Sequence, residues 1–112
     1  MPLWFVRGLR RGVVTTRYPA RAESSAASLP TPPAFRPWEL TRESAERMIA
    51  VCPSNALWRQ DDALIFDAGT CTCCGRCAKV APAAVTPSGE FELATTDRSA
   101  LIKTIPILGD VR

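Results

Sequence analysis

With 112 residues, the chain has room for one small domain with extensions, a size at which a metal or other staple often supplements a limited core. Its five cysteines come with no histidine, which excludes a Cys/His zinc site, and their odd number and tight spacing speak against a disulfide framework. The formal charge of +3 is unevenly placed, since Arg7, Arg10, Arg11, Arg17 and Arg21 precede the first acid, Glu23, and no apolar run approaches the roughly 20 residues that span a bilayer.

Residues 1–17 read as a basic amphipathic helix. Leu3, Phe5, Val6, Leu9, Val13 and Val14 share one broad arc, Arg7 and Arg11 lie outside it, and Arg10 intrudes but can snorkel. Gly8 and Gly12 weaken the helix. Such a segment fits a membrane interface, with arginines meeting anionic head groups, and equally fits a helix docked on a partner; a helix covering the protein's own core is a further reading. Being Arg-rich and free of acids, it also has the composition of a transit peptide. Residues 18–40, with Pro19, Pro30, Pro32, Pro33 and Pro37, read as an extended linker.

Residues 41–96 carry the expected folded domain. Thr41 caps a helix over about residues 42–51, with Glu43 near its positive end, and Pro53 stops it. Ala56–Arg59 and Ala63–Phe66 read as strands joined across Gln60-Asp61-Asp62. A cysteine loop and a short helix near Arg76–Val80 follow. Ala84–Thr86 and Phe91–Ala94 read as a second strand pair turning at Pro87-Ser88-Gly89. In residues 97–112, Asp97 caps a short helix containing Ala100, Leu101 and Ile102, and the tail from Pro106 is expected to be irregular.

The chemistry is concentrated in Cys71-Thr72-Cys73-Cys74-Gly75-Arg76-Cys77. Cys71, Cys74 and Cys77 form C-x2-C-x2-C, the spacing that places three thiolates on one iron–sulfur cluster. The fourth thiolate normally comes from a later Cys-Pro step, but here that step is Ala81-Pro82, and Cys-Pro occurs instead upstream, at Cys52-Pro53. In two-cluster ferredoxins each motif's fourth cysteine ligates the other motif's cluster, so Cys52 is the natural fourth ligand. The ligand set of one [4Fe–4S] cluster is then Cys52, Cys71, Cys74 and Cys77. Bound there, its charge lowers the net from +3 to about +1, which excludes a strongly basic nucleic-acid binder. Ligating thiolates must stay reduced, which implies a cytosolic-side protein.

The two halves repeat, with Val51-Cys52-Pro53 matching Val80-Ala81-Pro82, the same helix before each and the same hairpin after. Projecting the motif backward from Cys52 puts a second cluster's ligands at Arg42, Ala45 and Met48, with the fourth at Ala81; none of these side chains ligates. Eight crossed ligand positions can lose four cysteines in about seventy ways, and only two of these leave one cluster whole. The pattern therefore reads as deletion of one cofactor with retention of the other. Met48 is expected to fill the vacated space beside the small Ala45 and Ala81, and Arg42 to face solvent or pair with Glu46. Cys73 is out of register and reads as a non-ligating thiol. Gly75 lets the loop approach the cluster, and Arg76 either adds charge beside it or is solvated.

Further stretches narrow the class: Gly12-Val13-Val14-Thr15-Thr16-Arg17-Tyr18-Pro19, Cys52-Pro53-Ser54-Asn55-Ala56-Leu57, and Cys74-Gly75-Arg76-Cys77 followed by Phe91-Glu92-Leu93-Ala94. Through them, over most of Gly12 to Ala94, the chain resembles the two-cluster ferredoxin subunit of formate hydrogenlyase and related membrane-bound group 4 [NiFe] hydrogenases, the counterpart of the two-cluster subunit of respiratory complex I. The resemblance implies an α+β bacterial ferredoxin-like core with a pseudo-two-fold repeat. It also implies a non-catalytic electron-transfer subunit beside the hydrogenase or complex I-like small and large subunits, peripheral on the cytoplasmic side of the cell membrane. The retained cluster corresponds to the one facing the small subunit, and the family's outward link is the one missing. Two other readings are a freely diffusing single-cluster ferredoxin and a structural adaptor stapled by its metal site.

Overall fold

The computed structural model describes residues 3–22 and 28–111. The expected first helix's Met1 and Pro2, the linker stretch 23–27 with Ser24 and Ser25, and the final Arg112 lie outside the described residues. In chain order the elements are α1 (Leu3–Arg11), β1 (Pro33–Phe35), α2 (Arg42–Val51), β2 (Leu57–Gln60), β3 (Ala63–Asp67), α3 (Arg76–Val80), β4 (Val85–Pro87) and β5 (Ile102–Pro106), with 3-10 turns at Pro37–Glu39, Arg98–Leu101 and Gly109–Val111. The described residues form an α+β protein with two antiparallel sheets, one pairing β1 with β4 and the other ordered β2-β3-β5.

Local chemistry explains α2. Thr41 Oγ1 accepts from the Ser44 backbone N–H at 3.1 Å, and the Thr41 N–H donates back to Ser44 Oγ at 3.0 Å. This capping box satisfies two N–H groups at the helix start, with serine in the place usual for glutamate. The helix ends at Val51, and Cys52 stands at its C-cap in extended conformation, ahead of Pro53. Ser44, Ala45 and Met48 are its buried residues. The β2–β3 hairpin closes through Asp61 and Asp62, Asp61 adopting the positive φ (53°) that tight two-residue hairpin turns require.

Four expectations change. The first helix ends at Arg11 and not at residue 17, because Gly12 turns left-handed at φ +64°. The expected linker contains a strand: Pro33, Ala34 and Phe35 pair with Pro87, Thr86 and Val85. The ladder continues on both sides, with Arg36 N–H on Ala84 O at 2.8 Å and Ser88 N–H on Pro32 O at 3.0 Å. β1 thus takes the partner position expected of Phe91–Ala94, which forms no strand; there the Leu93 N–H turns back onto Phe91 O at 3.1 Å. The last expected helix is a single 3-10 turn over Arg98–Leu101, capped by Asp97 as anticipated. Ile102 instead opens β5, which pairs along the whole of β3 (Asp67↔Ile102 through Ala63↔Pro106), and of the tail expected to be irregular only Pro106 belongs to this strand. The packed body therefore extends beyond 41–96 in both directions.

β3 sits between two partners and is nearly all buried. Phe66, Leu40, Met48 and Leu64 are the largest fully buried side chains, and the rings of Phe66 and Phe35 meet at 5.2 Å. Cys52, Cys71 and Cys77 pack against the edge of this core.

Candidate metal centre

The four expected ligands come together from three places in the chain. The end of α2 delivers Cys52, the loop after β3 delivers Cys71 and Cys74, and the first turn of α3 delivers Cys77. All four line one cavity of about 60 Å³, walled on its apolar side by residues that include Pro33, Leu57, Phe66 and Val85. The five cysteines are free thiols; Cys74 is exposed and the others half-buried. Among the described residues no three Cys, Asp or Glu side chains converge as they would on one metal ion. A cubane cluster makes a different demand, because each of its four irons takes one thiolate, so the sulfurs must surround a space instead of meeting at a point. Four thiols around one cavity are a donor set that fits this group.

Backbone donors reach the sulfurs. The Ala56 N–H lies 3.3 Å from Cys52 Sγ and the Cys73 N–H lies 3.4 Å from Cys71 Sγ, while the Ser54 hydroxyl stands 3.7 Å from Cys52 Sγ. Burial alone pushes the Cys52 thiol up. The Ala56 N–H, the Ser54 hydroxyl and the backbone N–H groups of Ser54 and Leu57 outweigh it and hold the group below the usual thiol range. Of Cys52, Cys71 and Cys77, Cys52 is thus the one its own surroundings make readiest to ionise. Burial raises Cys71, with the Cys73 and Cys77 thiols adding to the shift, and burial raises Cys77, with Cys74 and Cys52 adding. Mutual repulsion of this kind is relieved when a cationic metal group takes up the thiolates.

The loop conformation has two left-handed residues, Cys73 (φ 55°) and Gly75 (φ 73°). Gly75 leads directly into α3, and a Cβ there would meet no protein atom within 4 Å, so its left-handed turn is the protein's own reason for glycine. Cys73 also lines the cavity, so position alone does not separate it from the other four; the register of C-x2-C-x2-C does.

One arrangement supporting the loop has no signal in the cysteine pattern. Asp67, the last residue of β3, receives Arg98 through two bonds, Nη1 on Oδ1 at 2.8 Å and Nη2 on Oδ2 at 2.5 Å, and its Oδ1 also accepts the Gly69 N–H at 2.8 Å. Arg98 holds the Asp67 carboxyl down to about 2 despite its burial in the sheet. The guanidinium lies so close over Gly69 that a Cβ there would stand 2.8 Å from Nη1. The turn that leads to Cys71 is therefore clamped by a side chain 31 residues away.

The positions of the projected second site look different. Ala45 and Met48 are fully buried and Ala81 is nearly so, which places Met48 in the packed interior as expected. Arg42 does not pair with Glu46. It reaches Asp62 at 2.6 Å, its backbone N–H is held by Asp110 at 2.8 Å, and Glu46 instead faces Arg59 at 3.9 Å.

Away from the thiols, α1 buries none of its residues, and Leu3, Trp4, Phe5, Val6 and Leu9 are all exposed, with Arg10 and Arg11 in its last turn. No helix among the described residues is long and apolar enough to cross a membrane. Tyr18 and Phe91, from two of the stretches that carry the resemblance, bring their rings together at 5.4 Å in a tilted contact. No family model and no curated protein matches the chain.

Proposed function

We propose that this chain is an electron-transfer subunit that holds one [4Fe–4S] cluster on Cys52, Cys71, Cys74 and Cys77. In this reading it passes electrons to or from the small subunit of a membrane-bound [NiFe] hydrogenase or complex I-like assembly. The observation that carries the reading is the meeting of Cys52 with Cys71, Cys74 and Cys77 on one cavity, against the closed interior at Ala45, Met48 and Ala81.

The topology supports a ferredoxin-like core. In the order β1-α2-β2-β3-α3-β4 the outer strands pair with each other and the inner strands pair with each other. The chain therefore runs through two strand–helix–strand units, and the helices of the two units end at Cys52-Pro53 and Ala81-Pro82. The repeating unit is strand–helix–strand in place of the helix followed by a hairpin expected above.

The cluster, when bound, supplies one-electron transfer; the chain's own residues shape its setting. The N–H groups of Ala56 and Cys73, aimed at sulfur, favour the more reduced level, and the wall of Leu57, Phe66 and Val85 excludes water from one side. The exposed apolar face of α1 with its arginines fits docking at the cytoplasmic membrane surface or on a membrane-arm subunit, which gives the subunit a peripheral location there.

Anaerobic purification with whatever co-purifies, followed by iron and sulfide assay and electron paramagnetic resonance after reduction, tests the reading. About four iron and four sulfide per chain, with one cubane signal, are expected. Two clusters, or zinc alone, would overturn it. Loaded protein that is monodisperse without detergent or partners would favour a free ferredoxin, and unchanged turnover of the assembly with a redox-inert metal in the site would favour a structural adaptor.

A further inference from the structure

Cys52 stands on two surfaces. Besides the thiol-lined cavity it borders a separate open cleft between the C-terminal end of α2 and α3. Val51, Pro53 and Val80 give this cleft its apolar part, and Arg76 and Lys79 from α3 line it as well. No acidic side chain lines it. Elsewhere in the packed body Arg42, Arg47, Arg59 and Arg98 each face a carboxylate, whereas Arg76 and Lys79 are exposed and, like Arg36 and Lys103, make no ion pair among the described residues.

A one-cluster relay has to meet both a donor and an acceptor. Cys74 is exposed, and Cys52 borders the second cleft as well as the thiol-lined cavity, so two approaches exist. The second approach combines an apolar contact directly beside a ligand with two uncompensated cations. Small, weak interfaces steered by complementary charge suit transient electron-transfer encounters.

We propose that the Cys52 cleft is the docking point for a redox partner that presents carboxylates around its own cofactor; this rests on the cluster reading above. In each encounter one electron crosses between the two centres. One is oxidised as the other is reduced by the same single electron, and no bond is made and no proton moves. Arg76 and Lys79 draw the partner in, and Val51, Pro53 and Val80 make the contact that brings its cofactor close to the Cys52 sulfur.

Charged redox reagents test this on the loaded full-length chain. The reduced protein is oxidised at low salt by anionic hexacyanoferrate(III) and, in parallel, by cationic hexaamminecobalt(III). The ratio of the two rates cancels any shift in the centre's own potential. Arg76→Glu and Lys79→Glu should each lower the anion-to-cation ratio by roughly tenfold, with the effect fading at high salt, while Lys103→Glu on β5 should lower it far less. Redox-inert hexacyanochromate(III) gives a readout independent of turnover: its paramagnetic broadening of nuclear magnetic resonance signals should centre on Val51 and Val80 and vanish in either cleft variant. If Arg76→Glu fails to load its cluster, Lys79→Glu on the exposed face of α3 carries the test alone. A fully loaded Lys79→Glu with an unchanged rate ratio and unchanged broadening would overturn the docking site and leave the cluster reading standing, whereas wild-type protein without iron and sulfide would overturn that reading itself.

Discussion

The positions 52, 71, 74 and 77 and the positions 42, 45, 48 and 81 belong to the same two strand–helix–strand units, yet they have opposite physical character. On the first set, three half-buried cysteines and the exposed Cys74 line a cavity, and backbone N–H groups point at the sulfurs of Cys52 and Cys71. On the second, Met48 and Ala45 are sealed in the interior, Ala81 closes beside the next strand, and Arg42 has left for the surface to bind Asp62 and the Asp110 end of the chain. A cluster site cannot simply lose its cysteines, because a protein interior tolerates few voids larger than a water molecule. In the proposed reading, conversion to a packed interior needs a flexible filler and small neighbours, which Met48, Ala45 and Ala81 supply. In the proposed reading the thiol side stays partly open to receive a cluster from outside the polypeptide.

The comparison breaks most sharply at Cys52. Cys52→Ser removes the one ligand that reaches the cavity from the first unit, so iron content and the cubane signal are expected to fall to a small fraction of wild type. A variant that keeps full iron would disprove the joining of the two units at a single cluster. On the packed side the matching substitution is Met48→Ala, which opens a void in a fully buried position. It should destabilise the loaded protein by about 2–5 kcal/mol in chemical denaturation while iron per chain stays unchanged. A cost near zero would mean that the second set is loosely filled.

How much of this was legible follows the range of the contacts. Thr41, Pro53 and the two-residue connection at Asp61-Asp62 act on neighbours a few residues away, and α2, β2 and β3 stand within a residue of their expected limits. The cysteine register and the Cys-Pro step were legible because ligand spacing is itself a local code. β1 was not legible: three residues, Pro33-Ala34-Phe35, inside a proline-rich stretch carry no period, and their partner lies around residue 86. β5 was hidden in the same way, since Ile102–Pro106 becomes a strand only because β3 offers it an edge. The Arg98–Asp67 clamp and the Arg42–Asp62 contact are likewise products of the fold that no short window contains.

That clamp supplies a smaller effect, confined to the thiol side. Asp67 titrates at about 2 in the folded chain, below the ordinary carboxylate range, because the Arg98 guanidinium holds it ionised. A depressed carboxyl stabilises the fold above its unfolded value, near pH 4, and the contribution disappears as pH falls toward about 2. Arg98→Ala should therefore shorten the half-time of iron release by a constant factor between pH 7 and 5. The gap to wild type should then close between about pH 4 and 2 as Asp67 takes its proton. A gap that persists to the lowest pH would show that Arg98 acts through something other than Asp67.

The smallest expected effect is at Cys73, and it tests whether geometry or register selects ligands within the thiol side. Cys73 lines the same cavity as the four proposed ligands and, like Cys71, is half-buried. Its backbone holds a left-handed φ of 55° and gives its N–H to Cys71 Sγ. Serine has nearly the same size and keeps that N–H, so Cys73→Ser should leave iron content and the resonance signal at wild-type values. Loss of iron in this variant together with retention in Cys52→Ser would exchange the two residues' roles and confine all the ligands to the single loop 71–77. The link between the two units would then be gone, and the contrast between an open and a closed half would need another cause. Retention in Cys73→Ser with loss in Cys52→Ser instead ties the open half to a thiolate that only the first unit can provide.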